Sequence, residues 1–314
     1  MKRWGKPGVD GALNPRHGVS RQGQPLSYNR APAPDLAPWI AGLYATVIDA
    51  PADYRIDCGL FNDMSNFRIQ LKGDWTAQTA NGVLRHGKTA LFFGPQSHLM
   101  PVSVTGSFVS VGIALRPGTG HALIGVKTAD YVDRIVPCEE LGLSGAAAIA
   151  LLDRQDSPES WLLALEVLIR QIVAQSGGKL PDPATIRFEA LALADPNAPV
   201  AVFANECGVD LRRLERIVRR DFGMSPKQVL RRARALDMAS HLRGVADEAE
   251  ADELILRYYD QSHLIREFTA LFGMSPKEFV TTPQPILTLT LESRQARRLE
   301  AIARLQPGAK RPWE

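Results

Sequence analysis

The sequence predicts an α+β chain with a β-rich N-terminal domain, a helical connector and a C-terminal all-α domain built on a duplicated unit. Three observations carry this. From Trp39 to Ile135, short β-type runs such as NFRIQLKGDW, TALFFG and SFVSVGIALR alternate with Asn-Gly, Gly-Lys, Gly-Pro and Pro-Gly turns. After Pro137, apolar residues recur at threes and fours instead. The hexapeptide FGMSPK occurs twice, at Phe222–Lys227 and Phe272–Lys277.

The totals permit this. With 314 residues, 45% hydrophobic and 23% charged, the chain holds two or three domains with cores that need no staples. No apolar run is long enough to span a bilayer, and the first residues lack the apolar core of a secretory signal, so a cytoplasmic location is expected. Cys58, Cys138 and Cys207 are odd in number and show no C-x-x-C spacing, which argues against a disulfide framework or structural zinc and for small buried hydrophobes. The net charge of +3 says little as a total; its distribution matters.

Residues 1–38 are rich in Pro, Gly, Asn and Arg and end in APAPDLAP, so a flexible segment is expected there. Residues 39–178 form the β-rich domain and its helical connector; WLLALEVLIRQIV is amphipathic through Trp161, Leu165, Leu168, Ile169 and Ile172, and stops at Ser176-Gly177-Gly178. GGKLPDPA is a linker. The helical domain spans 182–283, and a tail, 284–314, contains SRQARRLEAIARL. Its Arg294, Arg297 and Arg298 either add phosphate contacts or pack on the domain.

Each FGMSPK is a helix-stop, helix-start joint. Gly223 and Gly273 suit the left-handed residue that ends a helix, while SPKQ and SPKE fit a capping box with Ser at N-cap, Pro at N1 and Gln or Glu at N3. The match continues upstream: Asp210 with Asp260, Leu214 with Leu264, Arg216 with Arg266, Val218 with Phe268. Asp is a good N-cap, and the apolar pair forms one buried stripe, so a short helix precedes each joint. PVAVFANEC, separated from Asp210 by Gly208-Val209, completes a helix, tight turn, helix unit.

With these residues in view, Ala204–Arg216 (AxxxGVDxRxLER) and Tyr258–Phe268 (YYDQSHLIREF), each followed by FGMSPK, resemble the two helix-turn-helix units of the AraC/XylS family of bacterial transcription regulators. The resemblance covers about a third of the chain. It implies double-stranded promoter DNA as partner, with the second helix of each unit in the major groove and a connecting helix from Pro226 to about Arg243. That helix is about 27 Å long at 1.5 Å per residue, enough to address successive grooves about 34 Å apart. The groove-facing positions it implies are Arg212, Glu215 and Arg216 in the first unit and Gln261, Ser262, Ile265 and Arg266 in the second; Arg and Gln suit the guanine and adenine edges. Arg219, Arg220, Lys227, Arg231, Arg232 and Arg234 lie where phosphate contacts or a solvated basic face would place them. His263 is expected to be a structural neighbour of the turn.

Charge is divided unequally. Residues 207–244 hold ten basic and four acidic residues, a net of +6; residues 245–283 hold three and eight, a net of −5. The first unit is therefore expected to dominate affinity. The second departs from the family pattern, with Glu253 in place of a small Ala and Arg257 in place of the turn Gly, which points to a reshaped turn. A sensor or scaffold protein that binds a protein partner through a degenerate second unit is the alternative.

Upstream, the resemblance implies a cupin-like barrel that senses a small-molecule effector or mediates homodimerisation, with RNA polymerase as a further partner. LRPGTGHALIG (Leu115–Gly125) is similar to segments of such domains; Gly118 and Gly120 serve a strand-end turn at least as readily as a ligand. His86, His98 and His121 lack metal-ligand spacing, and no G-x-S-x-G, P-loop or dinucleotide fingerprint occurs, so no enzyme activity, metal or cofactor is expected. Trp75, Phe92, Phe93 and Tyr131 line either a pocket or the core.

Overall fold

The computed structural model describes residues 5–246 and 261–305. Nine antiparallel strands form one sheet: β1 (Asn14–Pro15), β2 (Tyr28–Arg30), β3 (Ile40–Asp49), β4 (Arg55–Leu60), β5 (Asn66–Thr79), β6 (Gly82–His86), β7 (Thr89–Phe93), β8 (Met100–Leu115) and β9 (Ile135–Pro137). The long strands β5 and β8 pair along most of their length, and each is shared by two neighbours. Strand β8 pairs β3 through Phe108–Leu115 and β4 through Met100–Thr105, while β5 pairs β7 through Asn66–Gln70 and β6 through Trp75–Thr79. Two half-sheets thus meet along one ladder. The register slips between Gln70 and Asp74, where Gly73 has φ +109°; a Cβ there would lie 2.8 Å from that of Phe108, so the slip requires glycine.

Alternation along the strands separates the two faces. Phe67, Ile69, Ala90, Phe92, Val111 and Ile113 join a core with α2 (Gly145–Leu152) and α3 (Pro158–Gln175), which follow the short helix α1 (Thr119–Ile124). Leu91, Phe93, Val104 and Phe108 join the opposite core with Trp75. The expected connector helix is α3, closed at its start by a Ser157–Ser160 capping box.

Residues 5–38, expected to be loose, are strapped down instead. Strands β1 and β2 both pair with β3, the Arg30 guanidinium meets Glu166 at 2.9 Å, and Leu36 is buried. Composition understated the segment because backbone pairing, ion pairs and a few apolar anchors such as Leu36 hold it.

The C-terminal half contains α4 (Pro183–Ala194), α5 (Val200–Glu206), α6 (Leu211–Phe222), α7 (Pro226–Leu242), α8 (Gln261–Phe272), α9 (Pro276–Thr281) and α10 (Pro285–Leu305). Helix α7 serves two cores. Val229 and Leu230 join Phe188, Phe203, Leu214, Val218 and Phe222; Leu236, Ala239 and Leu242 join Phe268, Phe272, Phe279, Leu287 and Leu291. Phe61 of the β domain enters the second core, edge-on to Phe272 at 5.2 Å between centroids.

Candidate nucleic-acid interface

The first unit is α5, a turn and α6. Gly208, at φ +68°, makes the turn; the Val209 amide returns to the Ala204 carbonyl at 3.0 Å, and Asp210 caps α6 by accepting from the Arg213 amide at 2.8 Å. Leu214, Ile217, Val218 and Phe222 face inward. Arg212, Glu215, Arg216 and Arg219 are exposed on the other side, as is Arg213, which sequence reasoning passed over although the Arg212-Arg213 pair signalled it. None of these four arginines has an ion-pair partner among the described residues.

The joint after α6 forms as expected. Gly223 has φ +80°, and Ser225 and Gln228 make the reciprocal capping box. Lys227 is exposed at the start of α7. Arg220 differs from expectation. Its guanidinium grips the carboxylate of its buried neighbour Asp221 at 2.6 and 2.7 Å, with Asp182 at 3.8 Å, and Asp221 also accepts from the Thr185 hydroxyl. The side chain counted for phosphate is therefore committed to the protein.

The basic face proposed for α7 is likewise committed. Arg232 is 2% exposed and donates to the Gln96 and Asp63 carbonyls of the β domain at 2.9 and 2.8 Å. Arg231 and Arg234 each approach Glu267 of α8 at 3.4 Å. The alternatives for the tail also resolve toward packing. Arg294 and Arg297 meet Asp63, Arg294 and Arg298 meet Asp237, and Arg297 meets Glu189. Burial alone would raise the Asp63 carboxyl, but the guanidinium groups of Arg297, Arg294 and Arg232 outweigh it and hold the pKa at about 2.

In the second unit, α8 buries Phe268 and Phe272, leaves Ser262 and Arg266 exposed, and half-buries Ile265. The side chains of Gln261 and His263, and the positions Glu253 and Arg257, lie outside the described residues. Gly273 repeats the left-handed turn at φ +68°. Ser275 caps α9 by accepting from the Glu278 amide at 3.2 Å, but the reciprocal Glu278 bond expected of a capping box is not made among the described residues, and Glu278 is exposed.

Both joints touch the β domain. A Cβ on Gly223 would lie 2.5 Å from Val132, and the Leu99 amide donates to the Leu271 carbonyl at 2.7 Å. The Arg243 guanidinium, just past α7, donates to the Gly8 carbonyl and the Gln24 side chain, both at 2.8 Å, and to carbonyls around α9.

Elsewhere, no group of three or more His, Cys, Asp or Glu among the described residues could hold a metal ion. Burial pushes the Cys58 and Cys138 thiols up to about 12, so both are poor nucleophiles at neutral pH. No described helix is long and apolar enough to cross a membrane.

Residues 203–282 match the family model described as a helix-turn-helix domain. No curated protein matches the sequence. Among solved structures, ToxT from Vibrio cholerae aligns with TM-score 0.47 and 10% identity over 76% of this chain and 97% of its own. Wild-type ToxT from V. cholerae strain SCE256 bound to an unsaturated fatty acid gives 0.43 and 12% over 77% and 97%. The AraC-like transcriptional activator CuxR gives 0.30 and 16% over 62% and 76%.

Proposed function

We infer, from the premise that this chain carries an AraC-type helix-turn-helix domain and is a DNA-binding transcription regulator, that it reads a specific operator with α6 and α8 under the control of a small effector held by the β domain. One observation carries the DNA part: four arginines, Arg212, Arg213, Arg216 and Arg219, stand exposed, with no ion-pair partner among the described residues, on the outer side of a helix whose inner side is packed. Exposed cations without counter-charges add little to a fold, whereas on a duplex they release condensed counterions and reach guanine edges. Glu215 and Lys227 flank this patch. Helix α7, about 25 Å long at 1.5 Å per residue, separates the two units by a length compatible with successive major grooves. Ser262, Ile265 and Arg266, with Gln261, form the second reading position.

Control by an effector is supported by the two joints seated on the β domain, since a ligand that favours one arrangement of that domain shifts the posture of both units. We place this activity in the cytoplasm, with RNA polymerase and a second copy of the chain as further partners; no catalytic step is assigned.

Binding to genomic fragments, titrated against salt, tests the reading. The expected result is a specific complex that survives near physiological salt, with the slope of log K against log salt reduced by about 1 for each of Arg212, Arg216 and Arg219 replaced by Ala. Purely salt-labile binding with no preferred fragment would favour the scaffold alternative.

A further inference from the structure

The inner face of the β3–β8–β5 half-sheet carries two polar rows where a core would be apolar. The strand register places Tyr44, Gly112 and Arg68 side by side, and next to them Thr46, Ser110 and Gln70. Gly112 is the device of the first row. A Cβ there would lie 2.3 Å from the Tyr44 hydroxyl oxygen, so only glycine lets that hydroxyl cross β8 and accept from Arg68 Nε at 2.7 Å. The guanidinium rests on the Phe93 ring, 4.6 Å from its centroid. Arg68 is 7% exposed, yet no described carboxylate pairs with it, and its Nη1 and Nη2 have no acceptor among the described residues. In the second row Ser110 Oγ and both ends of the Gln70 amide are buried with no hydrogen-bond partner among the described residues, as are Trp75 Nε1 and Asn62 Nδ2 nearby.

Buried polar groups left unsatisfied weaken a fold, and a buried cation without a counter-charge weakens it more. Such a constellation is explained by a molecule that completes it. Arg68, Ser110 and Trp75 line an open cleft roofed by Ile286, Leu289 and Thr290 of α10.

We propose that this chamber binds a compact organic carboxylate, its two oxygens on the free Nη edge of Arg68 and its body under α10. A planar carboxylate matches the two parallel N–H groups left once Tyr44 has taken Nε. A monoanion fits better than phosphate: Arg68 supplies one positive charge, while Arg297 on the same wall is already matched by Asp63 and Glu189. The hydroxyl and amide groups of Thr46, Ser110 and Asn62 beside the Trp75 and Phe108 rings suit a short aromatic or hydroxylated body rather than a long alkyl chain. The proposal deepens the effector reading given above by assigning the ligand's class and its grip.

The test uses the full chain and no DNA, so its failure is separate from failure of the operator reading. Thermal unfolding and calorimetry are run with benzoate and 4-hydroxybenzoate at roughly 20 mM, each against its neutral amide, and with oleate and inorganic phosphate. The two aromatic acids are expected to raise Tm by about 2–4 °C, with no comparable rise from amides, oleate or phosphate. Arg68→Gln should abolish that rise. Thr290→Trp, which fills the chamber from its roof and leaves Arg68 in place, should do the same and guards against a folding defect in the first variant. Equal shifts from acid and amide, a shift retained in folded Arg68→Gln, a larger shift with oleate or phosphate, or no shift at all overturns the proposal.

Discussion

The two helix-turn-helix units end in the same six residues but spend their charges differently. On α6, Arg212, Arg213, Arg216 and Arg219 look outward and meet no carboxylate among the described residues, while Arg220 is held by Asp221; beside α8, Arg231 and Arg234 are drawn onto Glu267, and Arg266 stays exposed. A repeated joint therefore fixes geometry without fixing electrostatics. The first unit presents cations on its outer side, while the second is organised around its aromatic core and its attachment to α7.

The largest test of this contrast asks whether both units lean on one support. Asp63 is the shared counter-charge of Arg294 and Arg297, and its backbone holds Arg232. Asp63→Asn should cost about 3–5 kcal/mol in urea unfolding, because buried guanidinium groups lose their partner. A loss below about 1 kcal/mol would mean that the units stand independently of the β domain. The sign with pH follows from the depressed pKa. The contribution is present above the ordinary carboxylate range and disappears as pH falls through about 2.

Next in size is the asymmetry in DNA affinity. Arg216→Ala should weaken operator binding by about 1–3 kcal/mol and relax base preference, and Arg266→Ala should weaken it less; equal losses in a binding titration would remove the contrast.

A third prediction concerns α10, which belongs to the second unit's core and to the chamber roof. Burial pushes the Glu292 carboxyl up to about 8 from an ordinary 4.5, so the folded state holds a proton that the unfolded chain releases. Stability should fall as pH rises from about 4.5 to about 8, and Glu292→Gln should flatten that decline, stabilising the chain at pH 8 by about 1–3 kcal/mol relative to wild type. Unchanged pH profiles would place the carboxyl in water.

The smallest effect is the sharpest probe of how α8 is neutralised. Glu267→Gln frees Arg231 and Arg234, and should tighten non-specific DNA binding and steepen the salt slope by about 1 to 2; no change would show that these arginines never reach phosphate.

What could be seen in the sequence was whatever depends on near neighbours. The Asp210 cap, the Gly208 turn, the Ser225–Gln228 box and the inward stripe of α6 are written in residues a few places apart, and all form. What escaped is decided by distant partners. Arg232 reads as a surface cation until Gln96 and Asp63, far away in the chain, are brought over it, and Arg294, Arg297 and Arg298 lose their apparent freedom to acids from other elements. Arg220 is a different case: its acidic partner is the adjacent residue, but only the burial of Asp221 under Thr185 turns proximity into commitment. The setting of Arg68 was invisible for the same reason, since Tyr44 reaches it only across Gly112 of a third strand.

Helix α10 follows, in chain order, every element that it covers. As the polypeptide leaves the ribosome, the half-sheet and both helix-turn-helix units are therefore translated before their roof. Sealing of the proposed chamber waits on α10, and the sheet alone does not complete it.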